Sequence, residues 1–192
     1  LGKKNVAFKL LKIGNNIDDE SLSDQSVEEI IRATLEMAKV KTGALIVVAR
    51  DHDLSQYSET GIKVGAKITS QLLINIFEKN TPLHDGAVII EGNKIVSATC
   101  YLPLSDSVSL SKGLGTRHRA GLGISEVTDS IVIIVSEENG SVSIARDGQL
   151  IRYADTAILK NELVKAQAKA EVKPKKRFWK GRERNEKSND EN

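Results

Sequence analysis

The chain has 192 residues, of which 40% are hydrophobic, so it is long and apolar enough for one domain with a packed core. Residues 171–192 hold eight Lys/Arg against five Asp/Glu, and because the whole chain has a net charge of +2, residues 1–170 carry −1. That charge excludes a domain built to bind nucleic acid through a basic surface. Cys100 is the only cysteine, which excludes an intrachain disulfide and a thiolate zinc cluster and agrees with a reducing compartment.

The chain opens with a basic, amphipathic segment, residues 1–18, in which lysines alternate with apolar residues. No apolar run approaches the roughly 20 residues that cross a bilayer, and the start lacks the apolar stretch of a signal peptide. We therefore expect the chain as given to be soluble. The segment fits either the cytoplasmic flank of a preceding membrane helix, where positive residues collect, or a solvated amphipathic helix.

The first regular elements after this segment are a helix and a strand. Ser26 and Glu29 have capping-box spacing and predict a helix from there to about Lys41. Residues 43–49 form a continuous apolar run, which is typical of a strand covered on both faces. Residues 57–67 contain two glycines and are predicted to be a loop. This order predicts a central sheet with helices on each side.

Local signals define the elements that follow. Thr69 or Ser70 caps a second helix, and the pairs at residues 92–93 and 147–148 have the composition of tight hairpin turns. Strands are predicted at residues 87–90, 94–102, 131–135, 141–146 and 149–153. The fold class is therefore α/β or α+β, with a mixed central sheet of about six to seven strands surrounded by helices.

The end of the chain changes character. Residues 154–170 have a helical composition, and the charge density from Val172 onward indicates a disordered tail. We therefore expect a folded domain over residues 19–168 and a charged tail over residues 169–192. The tail is either a solubilising end or a basic surface that binds nucleic acid or anionic lipid, and the first interpretation is preferred.

A glycine-rich stretch at residues 113–123, GLGTRHRAGLG, carries the strongest chemical signal. Its four glycines permit a tight turn and a close backbone approach, and its Arg-His-Arg triplet concentrates donors and charge. Thr116 is predicted to be the N-cap of a short helix whose free N–H groups and dipole face the same volume. The stretch predicts a polyphosphate site; the alternative is an ordinary helix start with a solvated triplet.

Two further turns could contribute to such a site. The turn HDGA at residues 84–87 precedes a strand, and SEE at residues 136–138 follows one. A carboxylate at the mouth of a strand can orient a sugar hydroxyl or hold a divalent cation, and Gly86 allows the backbone to pass close to a base or ribose. Taken alone, an Asp-Gly pair is more often only a turn former. Together the three turns predict a site for a nucleotide and a metal ion.

The strings NTPLHDGAVII and LGTRHRAGLGISEVTDS, with DGA at residues 85–87 and RHR at residues 117–119, resemble the paired motifs of bacterial diadenylate cyclase domains, also called DAC or DisA_N domains. The resemblance is to the membrane-anchored CdaA-type branch and covers roughly residues 20–165. It implies a domain that condenses two ATP into cyclic di-AMP and two pyrophosphates. It also favours the membrane-flank interpretation of residues 1–18, and so the cytoplasmic face of the bacterial cell membrane for the full-length protein.

The resemblance also implies roles for individual residues. The expected catalytic residues are Asp85, beside the ribose 3′-hydroxyl, and the phosphate-gripping Arg117, His118 and Arg119. The residues expected to bind ATP are Gly86, Ala87, Tyr101, Leu102, Gly115, Thr116, Arg117, His118, Arg119, Ser136 and Glu137. His84 and Glu138 are the candidates for holding Mg²⁺ or Mn²⁺.

The reaction implied by the resemblance requires two copies of the chain. Each domain holds one ATP, and the 3′-oxygen of one ATP must reach the α-phosphorus of the other. A homodimer that faces itself across a two-fold axis satisfies this geometry, because the product has the same symmetry. Membrane-associated regulators are further partners that the expected location allows. The rival function is a module that senses ATP or a cyclic dinucleotide without turnover.

Overall fold

A computed structural model describes residues 21–107 and 114–167. It confirms the predicted fold class, with seven strands and five helices in these residues. The helices are α1 (Asp24–Lys39), α2 (Ser55–Ser58), α3 (Ser70–Phe77), α4 (Thr116–Val127) and α5 (Thr156–Gln167). The strands are β1 (Ala44–Val48), β2 (Ile62–Lys67), β3 (Ala87–Glu91), β4 (Lys94–Cys100), β5 (Ile131–Val135), β6 (Val142–Arg146) and β7 (Gln149–Arg152). The predicted membrane flank at residues 1–18 and the predicted tail at residues 169–192 lie outside the described residues.

The strands form one sheet in the order β2-β4-β3-β1-β5-β6-β7. The central pair β1 and β3 is parallel, and every other neighbouring pair is antiparallel. Ala44 is opposite Val135, and Ala87 is opposite Cys100. The starts of β1 and β3 and the ends of β4 and β5 therefore lie at the same end of the sheet. We call this row of strand ends the binding edge; it is not one of the edge strands, β2 and β7.

Both faces of the sheet are covered, which explains the continuous apolar runs in the sequence. Along β1, Ala44, Ile46 and Val48 face the cluster formed with α1, α3 and α5. Leu45 and Val47 face the cluster formed with α4 and with the start of α2. Full burial of side chains of this kind contributes about 1.5–3 kcal/mol each, so the two clusters hold the binding edge in place. In the described part of the chain, no helix has both the length and the apolar character to cross a membrane.

The predicted capping box at the start of α1 is wrong. Ser23 is the N-cap, and its hydroxyl accepts a hydrogen bond from the Ser26 N–H at 3.2 Å. The Glu29 carboxylate accepts instead from the N–H of Ser70 at 2.6 Å, and this hydrogen bond lowers the pKa of Glu29. Glu29 therefore ties α1 to the start of α3, a contact between residues distant in sequence.

The predicted loop at residues 57–67 is also wrong, because this segment contains the end of α2 and the edge strand β2. Strand β2 pairs with β4 and exposes most of its side chains, so its sequence IKVGAK lacks an apolar pattern. By contrast, the two hairpin turns and the cap of α3 by Thr69, which accepts from the Leu72 N–H at 3.2 Å, are confirmed. These features depend on residues close together in the chain.

Candidate functional site

The turn that precedes β3 presents an imidazole and a carboxylate at the binding edge. His84 Nδ1 lies 2.6 Å from the carbonyl oxygen of Thr81, and because a carbonyl only accepts, Nδ1 carries the hydrogen. The other ring nitrogen, Nε2, is therefore the one with a lone pair. Asp85 is exposed and makes no hydrogen bond or ion pair with the described residues. This turn thus offers two free ligand or base groups side by side.

Gly86 connects this turn to the end of β4. Its φ is +101°, and a Cβ at this position would lie 2.9 Å from the carbonyl carbon of Thr99. Thr99 itself has a φ of 60° and lies in a bulge that gives β4 one extra residue between the pairs Ala87–Cys100 and Ile89–Ser97. Such bulges redirect the strand that contains them. Only glycine suits this backbone angle and this close approach.

The end of β4 supplies the apolar wall of the site. The Tyr101 side chain is 73% exposed, and its backbone N–H donates to Thr60 Oγ1 at 2.9 Å. The Tyr101 ring therefore lies at the surface, and its backbone is fixed by this hydrogen bond. Leu102 is half-buried beside it, and Leu104 is exposed. An exposed aromatic ring next to aliphatic side chains is suited to stacking with a base.

The start of α4 is the second polar element at the binding edge. Gly115, not the predicted Thr116, is its N-cap, and no side chain within residues 21–107 and 114–167 caps the helix. Thr116 is the first helical residue because Gly115 has the extended backbone angles, with φ of −70° and ψ of 176°, that a cap requires. Free N–H groups and the positive end of the helix dipole are therefore directed out of the first turn. A phosphate is the group that this arrangement attracts.

Arg117 is the residue of α4 that is directed toward the strand ends. Its Nη1 donates to Glu137 Oε2 at 3.0 Å, and the side chains of Arg117 and Glu137 are 21% and 54% exposed. The Nε of Arg117 is buried and has no hydrogen-bond partner in the described structure. Buried donors are nearly always paired in folded proteins, so this N–H is an exception. Because Nε has no accessible surface, the outer nitrogens of the guanidinium are the ones that an anion can reach.

His118 and Arg119 point elsewhere, since consecutive helical residues are about 100° apart. His118 is buried, and its Nε2 lies 3.5 Å from Ser143 Oγ. Burial lowers its pKa, Arg152 lowers it further and Glu138 opposes the shift, so His118 is neutral near pH 7. Arg119 Nε donates to the carbonyl oxygen of Ser105 at 3.3 Å, so the Arg119 guanidinium is hydrogen-bonded to the loop after β4. Direct phosphate contacts of both residues stay predictions.

A cavity of about 430 Å³ brings the two motifs together. Asp85 from the turn before β3 and Arg117 from α4 both line it, although they are far apart in sequence. The lining residues expected from the sequence are His84, Asp85, Gly86, Tyr101, Leu102, Thr116, Arg117 and Glu137. The lining residues that sequence reasoning missed are Leu45, Cys100, Leu104 and Ala120. The volume is within the range of about 300–1,000 Å³ typical of small-molecule sites.

The missed residues had no distinctive signal. Leu45 and Ala120 belong to apolar stretches that also form the core, so no local pattern separates lining from packing. Burial raises the pKa of Cys100 to about 11, so its thiol stays protonated and packs as an apolar group. Only the three-dimensional arrangement identifies these residues as walls of the cavity.

A smaller cleft of about 60 Å³ adjoins this cavity and shares Thr116, Arg117 and Glu137 with it. The expected site residues found only in this cleft are Gly115, His118, Ser136 and Glu138. The Ser136 hydroxyl accepts from the Glu138 N–H at 3.3 Å, which shapes the turn after β5. The cleft therefore extends the site past the start of α4. Two expected residues, Ala87 and Arg119, line neither space, and Ala87 is buried at the start of β3.

A further cavity of about 250 Å³ lies at the opposite edge of the sheet, beyond the ends of β1 and β3. Its charged residues include Arg50 but also the carboxylates of Asp51, Asp53 and Glu91. This excess of negative charge disfavours a polyphosphate. The cavity that contains Asp85 and Arg117 is therefore the better candidate for an anionic ligand.

The donor set also bears on metal binding. The described residues contain no group of three or more His, Cys, Asp or Glu placed to hold a metal ion. Mg²⁺ usually takes one or two protein ligands and completes its shell with water and phosphate oxygens. His84 and Asp85, adjacent in one cavity, fit a cation that shares its ligands with a bound polyphosphate. Glu138 lies in the smaller cleft and is separated from that pair.

The mixed sheet and this edge site define a nucleotide-binding α/β domain. The chain belongs to the DAC family, described as the DisA bacterial checkpoint controller nucleotide-binding domain, whose model matches residues 31–150. It is 53% identical over 183 residues to the diadenylate cyclase of Listeria monocytogenes serotype 1/2a, covering 94% of this chain and 65% of that protein. It is 50% identical over 166 residues to the cyclic di-AMP synthase CdaA of Bacillus subtilis, covering 85% of this chain and 60% of that protein.

The chain thus spans less than two thirds of the length of these two relatives. Among solved structures, the crystal structure of a double mutant of DacA from Staphylococcus aureus is similar, with a TM-score of 0.73 and 47% identity. The similarity covers 75% of this chain and 96% of the DacA chain. The family and the fold are therefore established together.

Proposed function

We propose that this chain is the catalytic domain of a diadenylate cyclase, which condenses two ATP into cyclic di-AMP and two pyrophosphates. One observation carries the proposal: the free carboxylate of Asp85 and the guanidinium of Arg117 line the same cavity. A base for a hydroxyl and a cation for a phosphate are the two groups that this reaction needs in one place. The names of the two relatives, a diadenylate cyclase and a cyclic di-AMP synthase, support it.

In this proposal, ATP lies along the binding edge with its base at the end of β4. The exposed ring of Tyr101 stacks on the adenine, and Leu102 contacts its edge. The phosphates lie at the start of α4, where uncapped N–H groups and Arg117 supply donors and positive charge. The ribose then lies near Asp85, next to a backbone that Gly86 keeps free of a side chain.

The chemical step is an in-line displacement at phosphorus. Asp85 accepts the proton of the 3′-hydroxyl as that oxygen forms a bond to the α-phosphorus of the second ATP. The bond between the α-phosphorus and the bridging oxygen breaks, and pyrophosphate leaves with the electron pair. Arg117 offsets the charge that develops on the phosphates. No covalent intermediate with the protein is needed, and most of the acceleration comes from positioning, which supplies up to about 7–11 kcal/mol in well-oriented systems.

His84 is the residue of this cavity that would hold a divalent cation, Mg²⁺ or Mn²⁺, which when bound would supply positive charge beside the departing pyrophosphate. The free Nε2 of His84 supports this assignment. Glu138, the other residue expected to hold the cation, lies in the smaller cleft and would contact a cation only beyond the start of α4.

The active form is a homodimer in which two binding edges face each other, because one cavity of this size accommodates a single nucleotide. We further propose that the full-length protein is at the cytoplasmic face of the cell membrane, with the basic residues of the segment 1–18 next to the lipid. Positive juxtamembrane residues are attracted to anionic lipid, which supports this location.

The test is to incubate the purified chain with ATP and Mn²⁺ or Mg²⁺ and to measure cyclic di-AMP by mass spectrometry and pyrophosphate by a coupled assay. We expect both products, in a ratio of two pyrophosphates to one cyclic dinucleotide. The rate per chain should also rise with chain concentration, because two copies must meet. ATP binding without either product, at chain concentrations where sedimentation shows a dimer, would support the sensing module instead.

A further inference from the structure

Gly43 lies at the binding edge, immediately before β1, and is buried. Its neighbour Ala44 is opposite Val135, so Gly43 lies beside the turn that follows β5. A Cβ at this position would be 2.6 Å from Nη1 and 3.1 Å from Cζ of Arg117, and 3.1 Å from Cβ of Glu137. The Arg117 guanidinium therefore lies directly against the backbone of Gly43.

This contact differs in kind from those of three other closely packed glycines. At Gly61, Gly123 and Gly140, an added Cβ would be 2.2–2.3 Å from a backbone oxygen, so a side chain there would displace the main chain. At Gly43 the nearest atom is the far end of a flexible side chain, which can rotate away. The φ of Gly43 is outside the positive range, so other residues can adopt its conformation. Glycine is required here by the Arg117 guanidinium and, through a milder contact of 3.1 Å, by the Cβ of Glu137, and not by the backbone conformation.

We propose that Gly43 is a positioning residue for the nucleotide site, acting through Arg117. The guanidinium of Arg117 packs against the backbone of Gly43 on one side, where there is no side chain. On another side its Nη1 donates to the Glu137 carboxylate. These contacts fix the part of the guanidinium that lines the cavity. The inference rests on the proposed function for the identity of the group that the guanidinium meets there, a phosphate of ATP. The contact itself does not depend on that function.

The consequence is that one methyl group at position 43 should impair nucleotide binding without unfolding the domain. In Gly43→Ala, the added methyl group displaces the Arg117 guanidinium, and the ion pair between Arg117 and Glu137 is lost or rearranged. Charge-assisted hydrogen bonds to phosphate are strong and depend on direction. We therefore expect the affinity for nucleotide to fall by about tenfold or more.

The test is a double-mutant cycle of Gly43→Ala and Arg117→Met, because methionine fills part of the space but lacks the guanidinium atoms that contact Gly43. The ligand is 3′-deoxy-ATP, which lacks the attacking hydroxyl, so calorimetry measures binding without turnover. We expect Gly43→Ala to weaken binding about tenfold in the parent chain and to have little effect in the Arg117→Met background. Equal losses in both backgrounds, or no loss in the parent, would overturn the proposal.

Folding provides a second comparison. If Gly43→Ala destabilises the domain but Gly43→Ala with Arg117→Met melts like Arg117→Met alone, the clash is with Arg117 and the proposal is supported. If the double variant fails to fold as well, the added methyl group collides with something other than the guanidinium, and the proposal is wrong.

A readout without nucleotide separates this inference from the proposed function. The Arg117 Nε–H is buried, so its resonance in a ¹⁵N-arginine spectrum should exchange slowly with solvent, and it is assigned by its absence in Arg117→Met. In Gly43→Ala this resonance should shift and exchange faster. An unchanged resonance overturns the inference. A changed resonance combined with unchanged nucleotide affinity overturns the role of Arg117 in binding ATP, and with it the positioning role of Gly43. Failure of the parent chain to make cyclic di-AMP would count against the proposed reaction alone.

Discussion

The backbone N–H of Tyr101 donates to Thr60 Oγ1 at 2.9 Å, while the Tyr101 ring is exposed at the mouth of the cavity. Thr60 lies between α2 and β2, the segment that precedes the edge strand. The turn before the edge strand β2 therefore fixes the backbone of Tyr101, the residue whose ring is proposed to stack on adenine. An anchored backbone lowers the entropy that the ring loses on binding a base.

Tyr101→Ala should weaken ATP binding by about tenfold, because stacking on an aromatic side chain contributes about 1–3 kcal/mol per base. Tyr101→Phe should bind nearly as well as the parent chain. Tyr153→Ala is the matched control, since Tyr153 is 68% exposed but lines neither the cavity nor the smaller cleft. Calorimetric titration with ATP distinguishes the variants, and equal affinities for Tyr101→Ala and Tyr153→Ala would contradict the stacking role.

Asp85→Asn should leave ATP binding largely intact and abolish cyclic di-AMP formation. Asparagine keeps the shape of the side chain but cannot accept the proton of the 3′-hydroxyl. The measurement is product formation by mass spectrometry beside the dissociation constant of ATP. A fall of affinity in parallel with turnover would mean that Asp85 acts mainly in binding, through a cation or the ribose.

Gly86→Ala should destabilise the domain by about 1–3 kcal/mol and remove most of its activity. The substitution forces a side chain into a left-handed backbone conformation and against the Thr99 backbone. Gly65→Ala is the matched control, because Gly65 has a φ of +63° but an added Cβ there has none of the described residues within 4 Å. Both variants should lose stability in chemical denaturation, but Gly65→Ala should retain activity. Full activity in Gly86→Ala would show that the contact with β4 does not shape the site.

The stability of the domain should depend on pH through His118. Burial holds the pKa of His118 below its ordinary value, so the unfolded chain takes up a proton at a higher pH than the folded chain does. The neutral imidazole therefore contributes its full stability above about pH 6.5, and that stability is lost as the pH falls toward the lowered pKa.

The measurement is the free energy of unfolding from denaturant titrations between about pH 7.5 and pH 5, for the parent chain and for His118→Gln. We expect the parent to lose more stability than the variant over this interval. Both proteins have the same acidic groups, so the contribution of those groups to the pH dependence cancels when the two curves are subtracted. Parallel curves would show that His118 does not titrate differently in the folded and unfolded states.

Much of the fold could be predicted because its signals are local. A hairpin turn such as Gly92-Asn93 or a cap such as Thr69 involves residues a few positions apart, and the local backbone chemistry is decisive. The buried strands were predicted for a similar reason, since a strand covered on both faces must be apolar at every position. The edge strand β2 could not be predicted this way. It is partly exposed, and its place in the sheet depends on pairing with β4.

The order of most elements and the two motifs can be read from the amino-acid sequence, and the resemblance of the motifs to a known family identifies the residues expected at the site. How those residues are used depends on the folded arrangement. Arg117, His118 and Arg119 are adjacent in the chain, yet only Arg117 lines the cavity with Asp85, because the helix directs the three side chains different ways. No sequence pattern marked Gly43, because the need for glycine there comes from another element. The Arg117 side chain, from α4, lies where a side chain at position 43 would be.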